Sequence, residues 1–175
     1  MTLQEDPGSA HLKSSASRLR RSTDTTAPDL FARYLDDLEV GDSFTTKGRT
    51  ITEADIVNFA ALTWDTYPLH VDAEWAAKTM FGERIAHGML VLSYAAGLVP
   101  MQPGPIVAFY GMEKVRFFLP TKIGDTIRVH VELKEKEERD EHMGLATFHN
   151  TILNQRDETV CKSINKVLLK RKADA

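Results

Sequence analysis

The sequence is poor in cysteine, has no excess of positive charge and has no long apolar run. Cys161 is the single cysteine among 175 residues, so the chain forms no internal disulfide and offers no cysteine-based zinc site. The formal net charge of −3 argues against a general nucleic-acid-binding protein, which usually has a strongly basic surface. The longest apolar stretch, Met89–Met101, is interrupted by Ser93 and Tyr94 and is too short to span a bilayer. We therefore expect a soluble globular protein of a reducing compartment, without a nucleic-acid or membrane partner.

The first 28 residues differ in composition from the rest of the chain. They contain 7 hydrophobic residues against 9 serines and threonines. Such a segment buries too little apolar surface to offset the entropy of ordering it, so we predict a disordered extension over 1–28 and one domain over 29–175. The arginine and serine content resembles a mitochondrial transit peptide faintly, but Glu5, Asp6 and Asp24 count against one. We expect a cytoplasmic protein, with the mitochondrion as the alternative.

Two helices are predicted before residue 81. Thr52 is a suitable N-cap, and Ile56, Ala60 and Trp64 follow as one apolar stripe at helical spacing. Asp72 can cap a second, short helix that runs through Met80. These signals place helical structure on both sides of a proline-containing segment.

Two loops and a buried helix complete the helical half. The range 64–70 is predicted as a loop because Pro68 disfavours the helical conformation of the preceding residue. A second loop is predicted over Phe81–His87. Gly88–Val99 is apolar nearly all round, which is typical of a helix that is buried in a core.

After Pro100 the hydrophobic period changes from helical to two. The clearest alternation is Ile127–Leu133, as expected of a half-buried strand, while the charged run 134–141 is predicted as a solvated turn region. Successive strands with short turns indicate an antiparallel sheet, and one apolar helix must pack against it. We therefore predict an α+β fold, with strands over Asp42–Arg49, Ile106–Leu119, Ile127–Leu133, Gly144–Leu153 and Thr159–Leu169.

The densest group of candidate functional residues lies in the loop over 64–70. Asp65 and His70 are five residues apart on a loop stiffened by Pro68, so a carboxylate and an imidazole can face one pocket and handle one water. A structural hydrogen bond between the two is the alternative. His70 and Asp72 also suggest a metal site, but no third ligand stands at a telling spacing, so we predict no metal.

The start of the apolar helix is the second candidate. The first N–H groups of a helix have no intrahelical partner, and Gly88 lets a ligand approach the backbone closely, so this point can bind an anion or a developing oxyanion. The alternative is that Gly88 only eases a tight junction. Ser93 is an isolated hydroxyl in the same helix; it either faces the ligand or, as a buried serine usually does, bonds back to the carbonyl four residues earlier.

Several common chemistries are excluded by missing motifs. The chain has no GxSxG motif, so Ser93, His70 and Asp65 are not a hydrolase triad. It also has neither GxGxxG nor GxxxxGK[ST], which removes the common dinucleotide and P-loop sites. Cys161 lies in an alternating strand and is interpreted as a packing residue.

The ordered motifs over residues 38–169 resemble the MaoC-like dehydratases, the (R)-specific enoyl-CoA hydratases of the hot-dog fold. The family signature D-x-N-P-x-H is similar to the run from Asp65 to His70, and F-G-x-x-I-A-H-G-M is matched by Phe81–Met89. The strand and turn over 115–126 also resemble the family. The resemblance implies a single hot-dog domain, in which an antiparallel sheet wraps around the central helix.

The resemblance also implies an activity, the reversible syn addition of water to a trans-2-enoyl thioester. Asp65 would accept the proton of the attacking water, and His70 would hold that water and pass a proton to the α-carbon, with the division of roles left open. The Gly88 N–H would stabilise the thioester oxyanion, and Ser93 matches a family hydroxyl near the site. No metal or redox cofactor is implied, because the CoA or acyl-carrier arm belongs to the substrate. Tyr67 replaces the usual asparagine and is expected to line the acyl pocket, where it either narrows the pocket or bonds to a polar acyl group. Loss of activity is the alternative, but because Asp65, His70 and Gly88 are all present we expect an active enzyme.

The sequence is compatible with three functions. The leading hypothesis is an enoyl-thioester hydratase or dehydratase. The alternatives are an acyl-CoA thioesterase, because one fold hosts both chemistries, and a non-catalytic acyl-thioester-binding protein. Long strands leave an exposed edge that proteins usually cover, and the family typically covers it by forming a homodimer. We expect a homodimer or a larger homo-oligomer here.

Overall fold

A sheet with four long antiparallel strands occupies the second half of the chain. The computed structural model describes residues 30–172, so the extension predicted over 1–28 lies outside the described residues. The strands lie in the order β1-β4-β5-β6-β3, with β2 also paired to β4. All pairings are antiparallel, which confirms the predicted sheet. The strands are β1 (Ser43–Thr45), β2 (Arg49–Thr50), β3 (Ile106–Phe117), β4 (Thr126–Glu138), β5 (Met143–Leu153) and β6 (Thr159–Lys170).

The predicted alternation decides which face of the sheet is buried. In β4 the side chains of Ile127, Val129, Val131 and Leu133 are fully buried, while the residues between them are partly exposed. These four side chains face the hydrophobic core together with Phe148 of β5. The sheet therefore has an inner, apolar face and an outer, polar face, as period-two patterning requires.

Two strand boundaries differ from the predictions. The charged run that begins at Lys134 does not turn at once: β4 continues to Glu138, and its last residues pair with the start of β5. Backbone hydrogen bonds extend this hairpin although the side chains are exposed. The single strand predicted over Asp42–Arg49 is instead divided into β1 and β2, both of which pair with β4.

The predicted central helix is present as α4 (Gly88–Leu98). Leu90, Val91, Leu92 and Ala95 are buried in the main core cluster. The helix thus covers the inner face of the sheet, and the α+β layout with one apolar helix against an antiparallel sheet is confirmed. No helix within residues 30–172 is long and apolar enough to cross a membrane.

The first helix, α1 (Glu53–Thr63), begins at the predicted cap. The Thr52 hydroxyl accepts a hydrogen bond from the Asp55 N–H, and the Asp55 carboxylate accepts one from the Thr52 N–H, which together form a capping box. The Asp55 carboxylate also accepts a hydrogen bond from the Tyr94 hydroxyl of α4 at 2.5 Å and pairs with Arg49 at 3.1 Å. Asp55 therefore joins α1, α4 and β2.

The chain between α1 and α4 differs from the prediction in its helices: one short helix was not predicted, and the predicted one is shorter than expected. Trp64, placed in the apolar stripe by the sequence, instead ends α1 in a left-handed conformation with φ of 62° and is 86% exposed. Within the predicted loop a short helix, α2 (Pro68–Val71), begins at Pro68, because proline is well suited to the first helical position. The helix capped by Asp72 is only α3 (Ala73–Ala76), and it ends four residues before Met80.

Candidate functional site

Asp65 and His70 are placed by the two short helical ends around them. Asp65 follows the left-handed residue that ends α1, and its carboxylate accepts a hydrogen bond of 3.4 Å from the Tyr67 N–H. His70 lies in α2 and is partly buried, and its backbone N–H donates a hydrogen bond to the Tyr67 carbonyl at 2.9 Å. The proline-stiffened loop brings the two side chains together: one polar atom of each lies within 4.8 Å of the other.

The imidazole of His70 is oriented by the second loop. Its Nδ1 lies 2.8 Å from the carbonyl oxygen of Ile85, and a carbonyl can only accept, so Nδ1 carries the proton. Nε2 then has the free lone pair in the neutral ring and carries the second proton in the protonated ring. This bond assigns Nε2 as the nitrogen available for proton transfer, in the way that second partners usually fix a histidine tautomer.

His87 is a third member of the site that the sequence analysis did not single out. Its Nε2 donates to the carbonyl oxygen of Asp65 at 2.9 Å, and its ring stacks on that of His70 with centroids 3.9 Å apart. The residue is 1% exposed, and Phe59 packs against its ring at 5.0 Å. His87 therefore contacts both Asp65 and His70 from inside the protein. The sequence feature that could have identified His87 as a site residue is its position directly before the predicted start of the apolar helix.

The two histidines make reciprocal bonds between the two loops. His70 donates to a carbonyl beside His87, and His87 donates to the carbonyl of Asp65. Burial lowers the pKa of His87, with the nearby His70 acting in the same direction, although the bond to the Asp65 carbonyl opposes the change. The ring is thus neutral at pH 7, and Nδ1 is a buried acceptor without a partner among the described residues.

Asp65, His70 and His87 also have to be tested as metal ligands, because their donor atoms cluster within 4.8 Å. The two rings are stacked with planes 30° apart, so their in-plane lone pairs run side by side rather than toward one point. One nitrogen of each ring is already bonded to a backbone carbonyl. The set is therefore better arranged for proton transfer than for coordination.

Gly88 begins α4 next to His87, as predicted, and its neighbour is an aromatic ring. A Cβ at Gly88 would lie 2.7 Å from Cζ of Phe117 at the end of β3, so only glycine allows this approach. The Phe117 side chain is 48% exposed. The helix start is thus bordered by a ring that has room to move.

Ser93 and Tyr67, the other two predicted site residues, have different surroundings. The Ser93 hydroxyl donates to the Met89 carbonyl at 2.8 Å, which is the backbone bond considered as its alternative role. The residue is exposed rather than buried, so its oxygen can still accept a hydrogen bond. Tyr67 is 54% exposed and its ring lies 6.2 Å from that of His70 and 5.5 Å from that of Trp75. Tyr67 therefore lies beside His70, and its place in an acyl pocket stays a prediction.

Comparison with known proteins gives a consistent family. A family model described as a MaoC like domain matches residues 37–153. The chain is 49% identical to Protein MaoC of Klebsiella aerogenes over 107 residues, which are 61% of this chain and 32% of that protein. It is 39% identical to an (R)-specific enoyl-CoA hydratase of Rhodospirillum rubrum over 107 residues, 61% of this chain and 73% of the hydratase. The match thus spans about a third of the first relative and about three quarters of the second.

Solved structures support the architecture. A structure described as a monoamine oxidase regulatory protein from Archaeoglobus superposes with a TM-score of 0.77 at 40% identity, covering 80% of this chain and 95% of that one. A Mycobacterium tuberculosis protein described as a double hotdogfold superposes with a TM-score of 0.72 at 22% identity, covering 82% of this chain and 46% of that one. The predicted hot-dog fold is confirmed.

Proposed function

The chain belongs to the MaoC-like domain family, and from this premise we propose that it adds water reversibly to a trans-2-enoyl thioester to give a 3-hydroxyacyl thioester. The observation that carries the proposal is the meeting of Asp65 and His70 beside the first turn of α4. A relative at 39% identity that is described as an (R)-specific enoyl-CoA hydratase supports the substrate class. An enoyl thioester carried by CoA or by an acyl carrier is the proposed substrate.

The reaction needs one base and one acid on the same side of the double bond. We propose that the Asp65 carboxylate accepts a proton from water while the water oxygen bonds to the β-carbon. The π electrons move to the thioester as an enolate, and protonated His70 then donates from Nε2 to the α-carbon. The proton on Asp65 then returns to His70, and this transfer restores the starting state. The polar atoms of the two side chains lie within 4.8 Å of each other.

Charge develops on the thioester oxygen during attack, and the start of α4 is the proposed place for it. The Gly88 N–H belongs to the first turn, where backbone donors have no intrahelical acceptor. An oxyanion donor of this kind contributes about 2.7–4 kcal/mol to lowering a barrier. The Phe117 ring that covers Gly88 would have to turn aside for the thioester, which its partial exposure permits.

No metal or redox group takes part in this proposed chemistry, since the steps move only protons and the electrons of the double bond. Free Cys161 is buried, and burial raises the pKa of its thiol, which makes it a poor nucleophile. We propose that the protein is located in the cytoplasm, because nothing in this chemistry requires an oxidising compartment.

We further propose that the protein acts as a homodimer that pairs along β3. This strand ends the sheet order, so one of its backbone edges has no partner within residues 30–172. Val107, Phe109 and Tyr110 on the same strand are all more than 40% exposed. A second copy would cover both the edge and these side chains. The mass in solution tests this, and a monomer would contradict it.

The activity is tested with short enoyl-CoA substrates. Hydration consumes the enoyl absorbance without releasing thiol, whereas release of thiol would indicate a thioesterase. If neither change occurs, both enzyme functions are rejected for these substrates and the acyl-thioester-binding protein is the function that is left. We expect Asp65→Asn and His70→Ala each to abolish turnover with the fold intact. Asp72→Asn is a matched control, because asparagine caps a helix as well as aspartate does. A near-native rate in either site variant would reject the proposed pair.

A further inference from the structure

A cationic groove lies on the outer face of the sheet, separate from the site described above. It is a cavity of about 390 Å³ that crosses four strands. We call it the outer groove, and its lining includes Lys114, Arg116, Glu132, His149, Thr151 and Lys162.

Register places the outer groove on the side of the sheet opposite to α4. Arg116 of β3 pairs with Lys162 of β6, and Lys162 pairs in turn with Thr151 of β5. Lys162 is exposed while its neighbour Cys161 is fully buried in the core, so this row faces outward. Phe117, next to Arg116, covers Gly88 on the inner side. The groove and the catalytic candidates are therefore separated by the sheet.

Three of the four lysine and arginine side chains that line the outer groove have no counter-charge among the described residues, and only Lys134 has one. Within residues 30–172, no carboxylate lies within ion-pair distance of Lys114, Arg116 or Lys162, while the groove's Glu132 is paired with Lys134 at 2.5 Å. Arg116 and Lys162 also stand directly opposite each other, and like charges in that position destabilise a sheet. A chain with a net charge of −3 thus concentrates unpaired positive charge at one point.

A β-bulge is responsible for this concentration. The register shifts between Glu113 and Arg116, and Lys114 takes a left-handed conformation with φ of 50°, which costs a non-glycine residue about 1 kcal/mol. Without the extra residue, the alternation along β3 would turn Arg116 to the inner face and Phe117 to the outer face. The bulge therefore directs Arg116 into the groove.

We propose that the outer groove binds a phosphate-bearing anion with at least two negative charges, such as a diphosphate group. Arginine binds phosphate oxygens in a bidentate way, and lysine adds a point charge. Such a ligand would convert the repulsion between Arg116 and Lys162 into shared attraction. His149 and Thr151, which also line the cavity, supply further polar groups.

Binding of inorganic pyrophosphate to the full chain, measured by calorimetry at low ionic strength, tests the proposal without any enzyme assay. We expect Arg116→Gln and Lys162→Gln each to weaken binding at least about tenfold, the effect of one charge-assisted contact. Lys78→Gln removes an exposed lysine outside the groove and should change the affinity less than twofold. Undiminished binding in both groove variants, or an equal loss in the control, would overturn the proposal.

Thermal unfolding gives a second readout that does not depend on measurable heat. In the absence of anions, Lys162→Gln should unfold at a higher temperature than the wild type, because it removes the like-charge pair. Pyrophosphate should raise the unfolding temperature of the wild type and leave that of Lys162→Gln nearly unchanged. A wild-type chain that pyrophosphate does not stabilise would contradict the site.

A third measurement separates two sources of the phosphate group and rests on the proposed hydratase function. If the ligand is the phosphate end of CoA, Arg116→Gln should raise the KM for crotonyl-CoA at least about fivefold and leave that for crotonyl-pantetheine unchanged, since the latter has no phosphate. If the ligand is a separate metabolite, both KM values should stay at the wild-type level while pyrophosphate binding is lost. Failure of the hydratase function alone would leave the pyrophosphate result intact.

Discussion

Replacing His87 is the most informative perturbation of the site, because this buried ring contacts both proposed catalytic residues from inside the protein. Two substitutions separate its contacts. His87→Phe keeps an aromatic ring against His70 and loses the donor to the Asp65 carbonyl, whereas His87→Gln keeps a side-chain donor and loses the ring. His87→Ala loses both and leaves a cavity.

The expected costs follow from the contacts. The hydrogen bond from Nε2 contributes about 1 kcal/mol to the free energy of unfolding, and the stacked ring pair contributes about 1 kcal/mol as well. We therefore expect about 1 kcal/mol of destabilisation in His87→Phe and in His87→Gln. His87→Ala should lose about 3 kcal/mol, because the cavity adds to both losses. Urea unfolding measures each value.

In His87→Phe, which releases the Asp65 backbone, we expect kcat to fall by more than the loss of about 1 kcal/mol in stability would suggest. In His87→Phe the backbone of Asp65 loses its inward hydrogen bond, and a displacement of about 1 Å in a reacting group lowers kcat about 100-fold. His87→Gln, which retains a donor, should keep a larger part of kcat. KM should change little in either variant, since His87 is buried behind the site. Steady-state kinetics at saturating substrate measure the difference.

The pH dependence of stability reports the burial of the His87 imidazole, and the wild-type kcat is the comparison that reports its positioning role. The pKa of folded His87 lies below its ordinary value of 6.5, so the unfolded chain binds a proton more readily, and stability falls as the pH drops below about 6.5. The His87→Phe variant should lack its share of this loss. The remaining share belongs to His130, whose pKa is also lowered by burial. A folded His87→Phe enzyme with the wild-type kcat and pH profile would refute the assigned role.

Three further outcomes are expected. Burial opposes ionisation of Asp55, but hydrogen bonds from Tyr94, Thr52 and Arg49 lower its pKa from 3.8 to about 2. The protein should therefore lose about 2 kcal/mol of stability between about pH 4 and pH 2. Denaturant unfolding should show a smaller loss of stability in acid for Asp55→Asn. A Cβ at Gly144 would lie 2.5 Å from a backbone carbonyl, so thermal unfolding should show Gly144→Ala destabilised by about 1–3 kcal/mol, while Gly97→Ala, in open space within α4, should be stabilised by about 1 kcal/mol. If the Ser93 hydroxyl serves only its helix, Ser93→Ala should keep kcat and KM within twofold, whereas a loss limited to kcat would assign it to the transition state.

Local signals were sufficient where the residues involved are close in sequence or share one period. Thr52 and Asp55 form their cap within one turn, and the alternation from Ile127 to Leu133 predicts which side chains are buried. The proximity of Asp65 and His70 was also predictable, because Pro68 restricts the short chain between them. Each of these features depends on a few adjacent dihedral angles.

The features that were missed depend on contacts between distant segments. His87 is 22 residues from Asp65, and its role comes from a bond to a backbone carbonyl, which no residue type reveals. Phe117 covers Gly88 from a strand 29 residues away. The bulge at Lys114 contains no glycine, so the run around it has the pattern of an ordinary strand. Only the register with β6 shows the extra residue.

The reciprocal bonds between the two loops explain how an exposed carboxylate can hold a defined position. Asp65 is exposed, and within residues 30–172 its side chain receives a single weak hydrogen bond, of 3.4 Å, from the Tyr67 N–H. Its backbone, however, is held by buried His87, and His70 is held by the Ile85 carbonyl two residues before His87. Each loop thus provides one imidazole donor and one carbonyl acceptor, so neither ring can turn without breaking a bond to the other loop. The defined geometry of the pair therefore resides in the buried backbone contacts, and a change at His87 must be transmitted to Asp65 even though the carboxylate itself is untouched.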